Sequence, residues 1–196
     1  MVSNVRRLVL ASNSPRRREL LQQLGLDFSV DPAEGPEEPF QGGNVAEYVL
    51  GLARSKSRQV ARRHAAGTLV VGADTVVALG DQVFGKPADA AQAMAMLKRL
   101  QGTTHLVYTG VCVTEAPGGE EACAAECTAV TFRPLTEEEI ARYVATGEPM
   151  DKAGAYAIQG LGSINITAVH GCYSNVVGLP LATLARLLRR WGVQIW

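Results

Sequence analysis

The chain has 196 residues, 47% of them apolar, with 19 basic and 19 acidic side chains and a formal net charge of zero. A neutral chain lacks the broad basic surface that duplex nucleic acid or an acidic bilayer requires, so neither nucleic acid nor membrane is an expected partner. The length suits one domain with a sizeable core, no apolar run approaches the ~20 residues that span a bilayer, and Met1–Leu10 lacks the apolar stretch of a secretory leader, so the expected compartment is the cytoplasm.

In chain order, Leu8–Ala11 reads as a buried strand. Ser14 and Pro15 open a helix as N-cap and first helical residue. Leu20, Leu21, Leu24 and Phe28 form its core face, and Gly25 ends it. Residues 31–43, rich in Pro, Gly and Glu, are expected as a mobile loop. A helix over about 45–65 follows. Residues 69–79 read as a strand that turns at Gly80-Asp81 onto a return strand, Gln82 to Phe84. Ala88 to Gln101 reads as a helix with Met94, Leu97 and Leu100 inward and Gly102 as its stop. Leu106–Thr114 and Cys127–Phe132 read as a hairpin across Gly118-Gly119, and Thr136–Glu139 is a capping box opening a helix to about Thr146. Residues 147–180 read as Gly-rich loops and short strands. The last helix, Leu181 to Trp191, is expected to bury Leu184, Leu188 and Trp191. Helices and strands mix along the whole length, which predicts an α/β or α+β class.

Four places break local rules. Arg16 and Arg17 put two cations in the first turn of a helix, where free N–H groups and the helix dipole favour anions. With the preceding strand, turn and Ser14 cap they read as an anion site, the alternative being an ordinary solvated basic helix start. Lys56 falls inside the apolar stripe Val49, Leu52, Ala53 and Val60, so it either snorkels its head to water or points into a cavity. Asp74 interrupts the apolar run from Val70 to Val77 and needs a partner there; it reads as a general base or metal ligand, or as the cap of a bulge. In Asp151–Gly160, small residues surround single polar ones, either as a close approach to a ligand or as a structural turn. Gln159 there carries the paired donor and acceptor that reads a base. Charge also alternates in blocks, basic to residue 25, acidic over 27–47 and basic over 54–63, which reads either as solvated surface or as a site for a polyanion and a metal ion together.

Other motifs carry less. Gly80 to Lys86 has the spacing of a P-loop, but Pro87 stands where the magnesium-binding hydroxyl belongs. The four cysteines lack zinc-ligand spacing and are expected as free reduced thiols. His64, His105 and His170 are scattered and read as surface or core.

Leu10–Leu21, Leu52–Lys56, Gly72–Val77, Gly85–Pro87, Glu148–Tyr156 and Asn175–Leu181 together resemble, in order, the motifs of the Maf family of nucleotide pyrophosphatases. The resemblance implies a single α/β domain over residues 1–196, an elongated mixed sheet flanked by helices with a central cleft, similar to inosine triphosphate pyrophosphatases. It implies cleavage of a nucleoside triphosphate to the monophosphate and pyrophosphate with a divalent metal (Mg, Mn or Co), its ligands unspecified, and a homodimer by analogy. Residue by residue it makes Asp74 the proton acceptor, with Lys56, Lys86 and an acidic loop residue, placed at Glu37, beside it. Ser12, Ser14, Arg16, Arg17, Thr75 and Gln159 become substrate-binding. Pro36 and Pro39 bracket the acidic loop, so Glu34, Glu37 and Glu38 remain interchangeable. The Asp151–Tyr156 block with Gln159 resembles the branch acting on dTTP and UTP; CTP or modified pyrimidine nucleotides are further candidates. The rival expectations are a phosphatase that releases single phosphates and a non-catalytic, nucleotide-sensing regulator of cell division.

Overall fold

The computed structural model of the chain describes residues 6–196. The reading of Met1–Leu10 as lacking a leader falls partly on residues 1–5, outside the described residues. Seven strands form one mixed sheet in the order β2-β1-β3-β5-β6-β7, with β4 paired to β3. They are β1 (Leu8–Leu10), β2 (Phe28–Val30), β3 (Leu69–Leu79), β4 (Gln82–Phe84), β5 (Thr104–Glu115), β6 (Glu121–Phe132) and β7 (Ile166–His170). Strand β1 runs parallel to both β2 and β3, whereas β4 on β3 and β7 on β6 are antiparallel. The helices are α1 (Pro15–Gln22), α2 (Val45–Ala61), α3 (Ala90–Leu100), α4 (Glu137–Ala145), α5 (Tyr173–Val177) and α6 (Leu181–Leu188). The expected α/β class with helices beside a mixed sheet is what the chain forms. The chain divides into two compact units, one of residues 6–74, 109–126 and 178–196, the other of residues 75–108 and 127–177.

In the first unit, Val9, Ala11, Val60, Ala61, Val70 and Ala116 pack into a core. Helix α2 lies so close to the sheet that a Cβ on Gly72 would strike the Ala53 carbonyl and come within 2.7 Å of the Ser57 amide. A Cβ on Gly110 would strike the Val49 carbonyl. These two glycines fix the height of α2 above the strands. The helix starts at Asn44, whose side chain accepts from the Ala46 and Glu47 amides, and its last α-helical residue is Ala61, short of the expected 65.

In the second unit, α3 and α4 pack over Val77, Val107, Val130, Phe132 and Tyr156. Helix α3 is capped by Asp89, and Thr136 and Glu139 form the reciprocal capping box at α4. Met96 is buried on α3 while Met94 is only partly so, because Met96 shares the face of Ala93, Leu97 and Leu100.

Three further expectations change. Phe28 belongs to β2 and not to the core face of α1, since Gly25 at φ +66° ends the helix before it. The last helix gives way after Leu188 to a 3₁₀ turn, and Trp191 is half-buried with its indole N–H donating to Glu115 at 3.2 Å, while Leu187 takes the buried position. Cys112 and Cys123 form a disulfide, and only Cys127 and Cys172 are free. The bonded pair lies on neighbouring strands, Cys112 on β5 and Cys123 on β6, a relation that ligand spacing does not reveal.

Candidate active site

The anion-site signal resolves into a turn and one internal arginine. After β1, the Ser12 hydroxyl accepts from the Ser14 amide at 3.2 Å, and the Ser14 hydroxyl caps α1 by accepting from the Arg17 amide at 3.4 Å. Pro15 at the first helical position has no N–H to satisfy. The Arg17 guanidinium does not spread into solvent. Its Nη1 donates to Ser12 Oγ at 3.3 Å, and its Nε donates to the Gly178 carbonyl at 2.8 Å. Burial pulls Arg17 below its usual range, Asp74 and Glu37 oppose that, and Arg16 adds to it. The guanidinium stays protonated in any case. Arg16 and Arg17, equivalent in the sequence, are therefore not equivalent in the structure.

Lys56 points inward. Its ammonium donates to Asp74 Oδ1 and, at 2.6 Å, to Glu37 Oε1. The ammonium is therefore held by two carboxylates and not left to water alone. The Lys56 side chain is 18% exposed, that of Asp74 8% and that of Glu37 54%. Asp74 therefore has the partner that its own burial requires, and Glu37 meets the same ammonium from the loop. Among the three loop acids only Glu37 meets Lys56. Glu38 offers its carbonyl to the Tyr48 hydroxyl at 2.7 Å, and Glu34 exchanges backbone hydrogen bonds with the Gln59 side chain at 2.8 and 2.9 Å.

Burial drives the Asp74 carboxyl above the ordinary aspartate range, Lys56 and Arg17 pull it back, and Glu37 adds to the rise. A carboxylate in that state takes up a proton more readily than a solvated one, which is what a general base needs. Burial likewise raises the Tyr48 phenol, helped by Asp74, Glu37 and Glu38.

Of the expected site residues, Ser12, Ser14, Arg16, Arg17, Glu37, Lys56 and Asp74 lie in the first unit. Thr75, Lys86 and Gln159 lie in the second. Thr75 follows Asp74 on β3, so its side chain leaves the opposite face of the strand, half-buried. Lys86 is exposed, between Gly85, whose carbonyl accepts from the Gly154 amide at 3.0 Å, and the buried Pro87. Gln159 is exposed and extended, just before a 3₁₀ turn at Gly160–Asn165.

Sequence reasoning missed the contact from Arg17 to Gly178, 161 positions away; the Asn175–Leu181 motif was its only trace. It also missed Glu148 and Tyr143, described below. Cys112, Glu121 and Cys123 are the one group of metal-type ligands clustered among the described residues. Both sulfurs are bonded to each other, and Glu121 is engaged by Arg58 at 2.5 and 2.8 Å. Among the described residues, no helix is long and apolar enough to cross a membrane.

A family model described as Maf-like protein matches residues 7–191. The chain is 52% identical over 191 residues to a Pelotomaculum thermopropionicum protein named dTTP/UTP pyrophosphatase, covering 97% of this chain and 100% of that one. It is 54% identical over 191 residues to an Anaeromyxobacter dehalogenans protein of the same name, covering 96% of each. Among solved structures, the Mycobacterium abscessus nucleoside-triphosphatase / dITP/XTP pyrophosphatase is similar with a TM-score of 0.45 and 16% identity, covering 95% of this chain and 98% of that one.

Proposed function

The chain belongs to the Maf-like protein family, and from that premise we propose that it hydrolyses nucleoside triphosphates, dTTP and UTP foremost, to the monophosphate and pyrophosphate. The observation that carries the reading is Lys56 held between Glu37 and the buried Asp74, with Arg17 in the same electrostatic field. CTP and modified pyrimidine nucleotides are the further substrates to test. The role is housekeeping of the nucleotide pool in the cytoplasm. The partners are the substrate and a second copy of the chain as a homodimer, with no nucleic acid and no membrane.

A triphosphate brings roughly four negative charges, and such transfers depend on positioning and charge stabilisation more than on covalent chemistry. Arg16, Arg17, Ser12 and Ser14 are assigned to the phosphate chain. Asp74 takes a proton from the attacking water as that oxygen bonds to the α-phosphorus. The bond from the α-phosphorus to the bridging oxygen breaks, and its electron pair leaves with pyrophosphate. Lys56 and Lys86 neutralise the charge that develops there. Thr75 and Gln159 read the pyrimidine.

A divalent cation fits the donor set. Glu37 and Asp74 offer two carboxylates, the number with which a magnesium-type ion is held beside substrate phosphates. Bound, it would supply Lewis-acid stabilisation of phosphoryl oxygens.

The test is Asp74→Asn, assayed for pyrophosphate release from dTTP. Release at the wild-type rate by a folded variant sinks the assignment of Asp74. A nucleotide sensor without catalysis would bind dTTP and release nothing, and a phosphatase would give the diphosphate and single phosphate instead.

A further inference from the structure

Gln159 is exposed, and its side chain makes no hydrogen bond with the described residues, yet the backbone on both sides of it is tied down. The ties converge on one carboxylate and one phenol. Glu148, just beyond α4, accepts from the Leu161 amide at 2.9 Å, from the Gly162 amide at 2.9 Å and from the Tyr143 hydroxyl at 2.8 Å. The Tyr143 oxygen in turn accepts from the Ala157 amide at 3.2 Å. Two residues before Gln159 and two and three residues after it are therefore fixed to the same pair of side chains.

The packing leaves this pair little freedom. A Cβ on Gly160, at φ +82°, would come within 2.5 Å of the Glu148 carboxylate, and one on Gly162 would strike the Tyr143 hydroxyl. Burial pushes the Glu148 carboxyl up, but the Leu161 and Gly162 amides, the Tyr143 hydroxyl and the Lys152 charge outweigh it and hold the group below the ordinary glutamate range. It is an anion satisfied by donors, with no proton to exchange near neutral pH.

We propose that Glu148 and Tyr143 are positioning residues for base recognition: they hold the 157–162 segment so that the Gln159 amide is presented in one orientation to the pyrimidine. The inference rests on the reading that Gln159 contacts the base. A side-chain amide discriminates only when its donor and acceptor are fixed in direction. A loop free to rotate would present the amide either way round and would lose that distinction between bases.

Glu148→Gln is the informative substitution, because it keeps the volume and replaces an acceptor by an NH₂ donor facing backbone donors. Hydrogen exchange on the full-length variant should show the Leu161 and Gly162 amides exchanging at least about tenfold faster. Steady-state kinetics should show the preference in kcat/KM for dTTP over dATP falling about tenfold through KM, with kcat within about threefold. Tyr143→Phe should behave likewise and more weakly, and Gln159→Ala sets the reference for lost base reading. Faster exchange with unchanged preference, while Gln159→Ala abolishes it, overturns the positioning role. An equal fall in kcat for all nucleotides overturns it too, as the mark of general destabilisation. If Gln159→Ala itself leaves the preference intact, base reading by Gln159 fails and this inference fails with it.

Discussion

Asp74 in the first unit and Glu148 in the second are both carboxylates withdrawn from water, and their acidities move in opposite directions. Asp74 is 6% exposed, with burial the dominant influence and the Lys56 ammonium donating to it. Its carboxyl rises. Glu148 is half-buried, with two amides and a hydroxyl donating to it. Its carboxyl falls. The difference lies in what can leave. On the proposed reading, the lysine on its long stem is drawn towards an incoming phosphate, and the carboxylate it leaves behind becomes the stronger proton acceptor. Backbone amides cannot leave, so Glu148 stays ionised and serves only to hold. The linkage signs follow. Ionised Asp74 costs stability at neutral pH, a cost that disappears as pH falls through its raised pKa. The Glu148 contribution is present above the ordinary glutamate range and is lost only as pH falls below it.

The largest expected effect separates the two roles outright. Asp74→Asn should lower pyrophosphate release by about 10³-fold, whereas Glu148→Gln should leave kcat nearly intact. Equal kcat losses would erase the distinction. Next, Lys56→Met strands a buried carboxylate, which should cost about 3 kcal/mol in urea denaturation. It should also push Asp74 still higher, moving the acid limb of kcat/KM upward in pH. A limb that stays in place would mean that Asp74 is not the titrating base.

A third test contrasts Glu148 with another titratable group of the same unit. His105 is 1% exposed, donates or accepts through Nε2 with the Tyr156 hydroxyl at 2.8 Å, and has no partner for Nδ1 among the described residues. Burial holds it down at about 4. The unfolded chain therefore binds a proton at higher pH than the folded one. Stability should fall by roughly 3 kcal/mol as pH drops from about 6.5 towards 4. Denaturant midpoints across that range check it, and His105→Phe should flatten the slope. The smallest effect is expected at the surface. Arg58→Ala removes a bidentate pair with Glu121, one end of it exposed, and should lower the denaturant midpoint only slightly while leaving pyrophosphate release unchanged.

Local signals carried well from sequence to structure. The Ser14 cap with Pro15, the Asp74-bearing strand and the Thr136 capping box need only neighbours within a few residues, and each stands where the spacing put it. What depends on distant chain did not carry. Glu34, Glu37 and Glu38 were indistinguishable until α2 brought Lys56 to one of them. Arg17 looked like its neighbour until the Gly178 carbonyl claimed it. Cys112 and Cys123 meet because β5 and β6 are neighbouring strands. Glu148 looked like part of a motif, while its partners lie 5, 13 and 14 positions away.

Gly72 and Gly110 bear on how a saturation-mutagenesis map of this chain should be read. Every replacement at either position puts an atom into the backbone of α2, the helix that carries Lys56. In a screen for activity these positions would score as intolerant as Asp74, although neither has a side chain with which to do chemistry. A parallel screen for protein abundance would separate them. The glycine variants should vanish from both maps, and Asp74→Asn should be missing from the activity map alone.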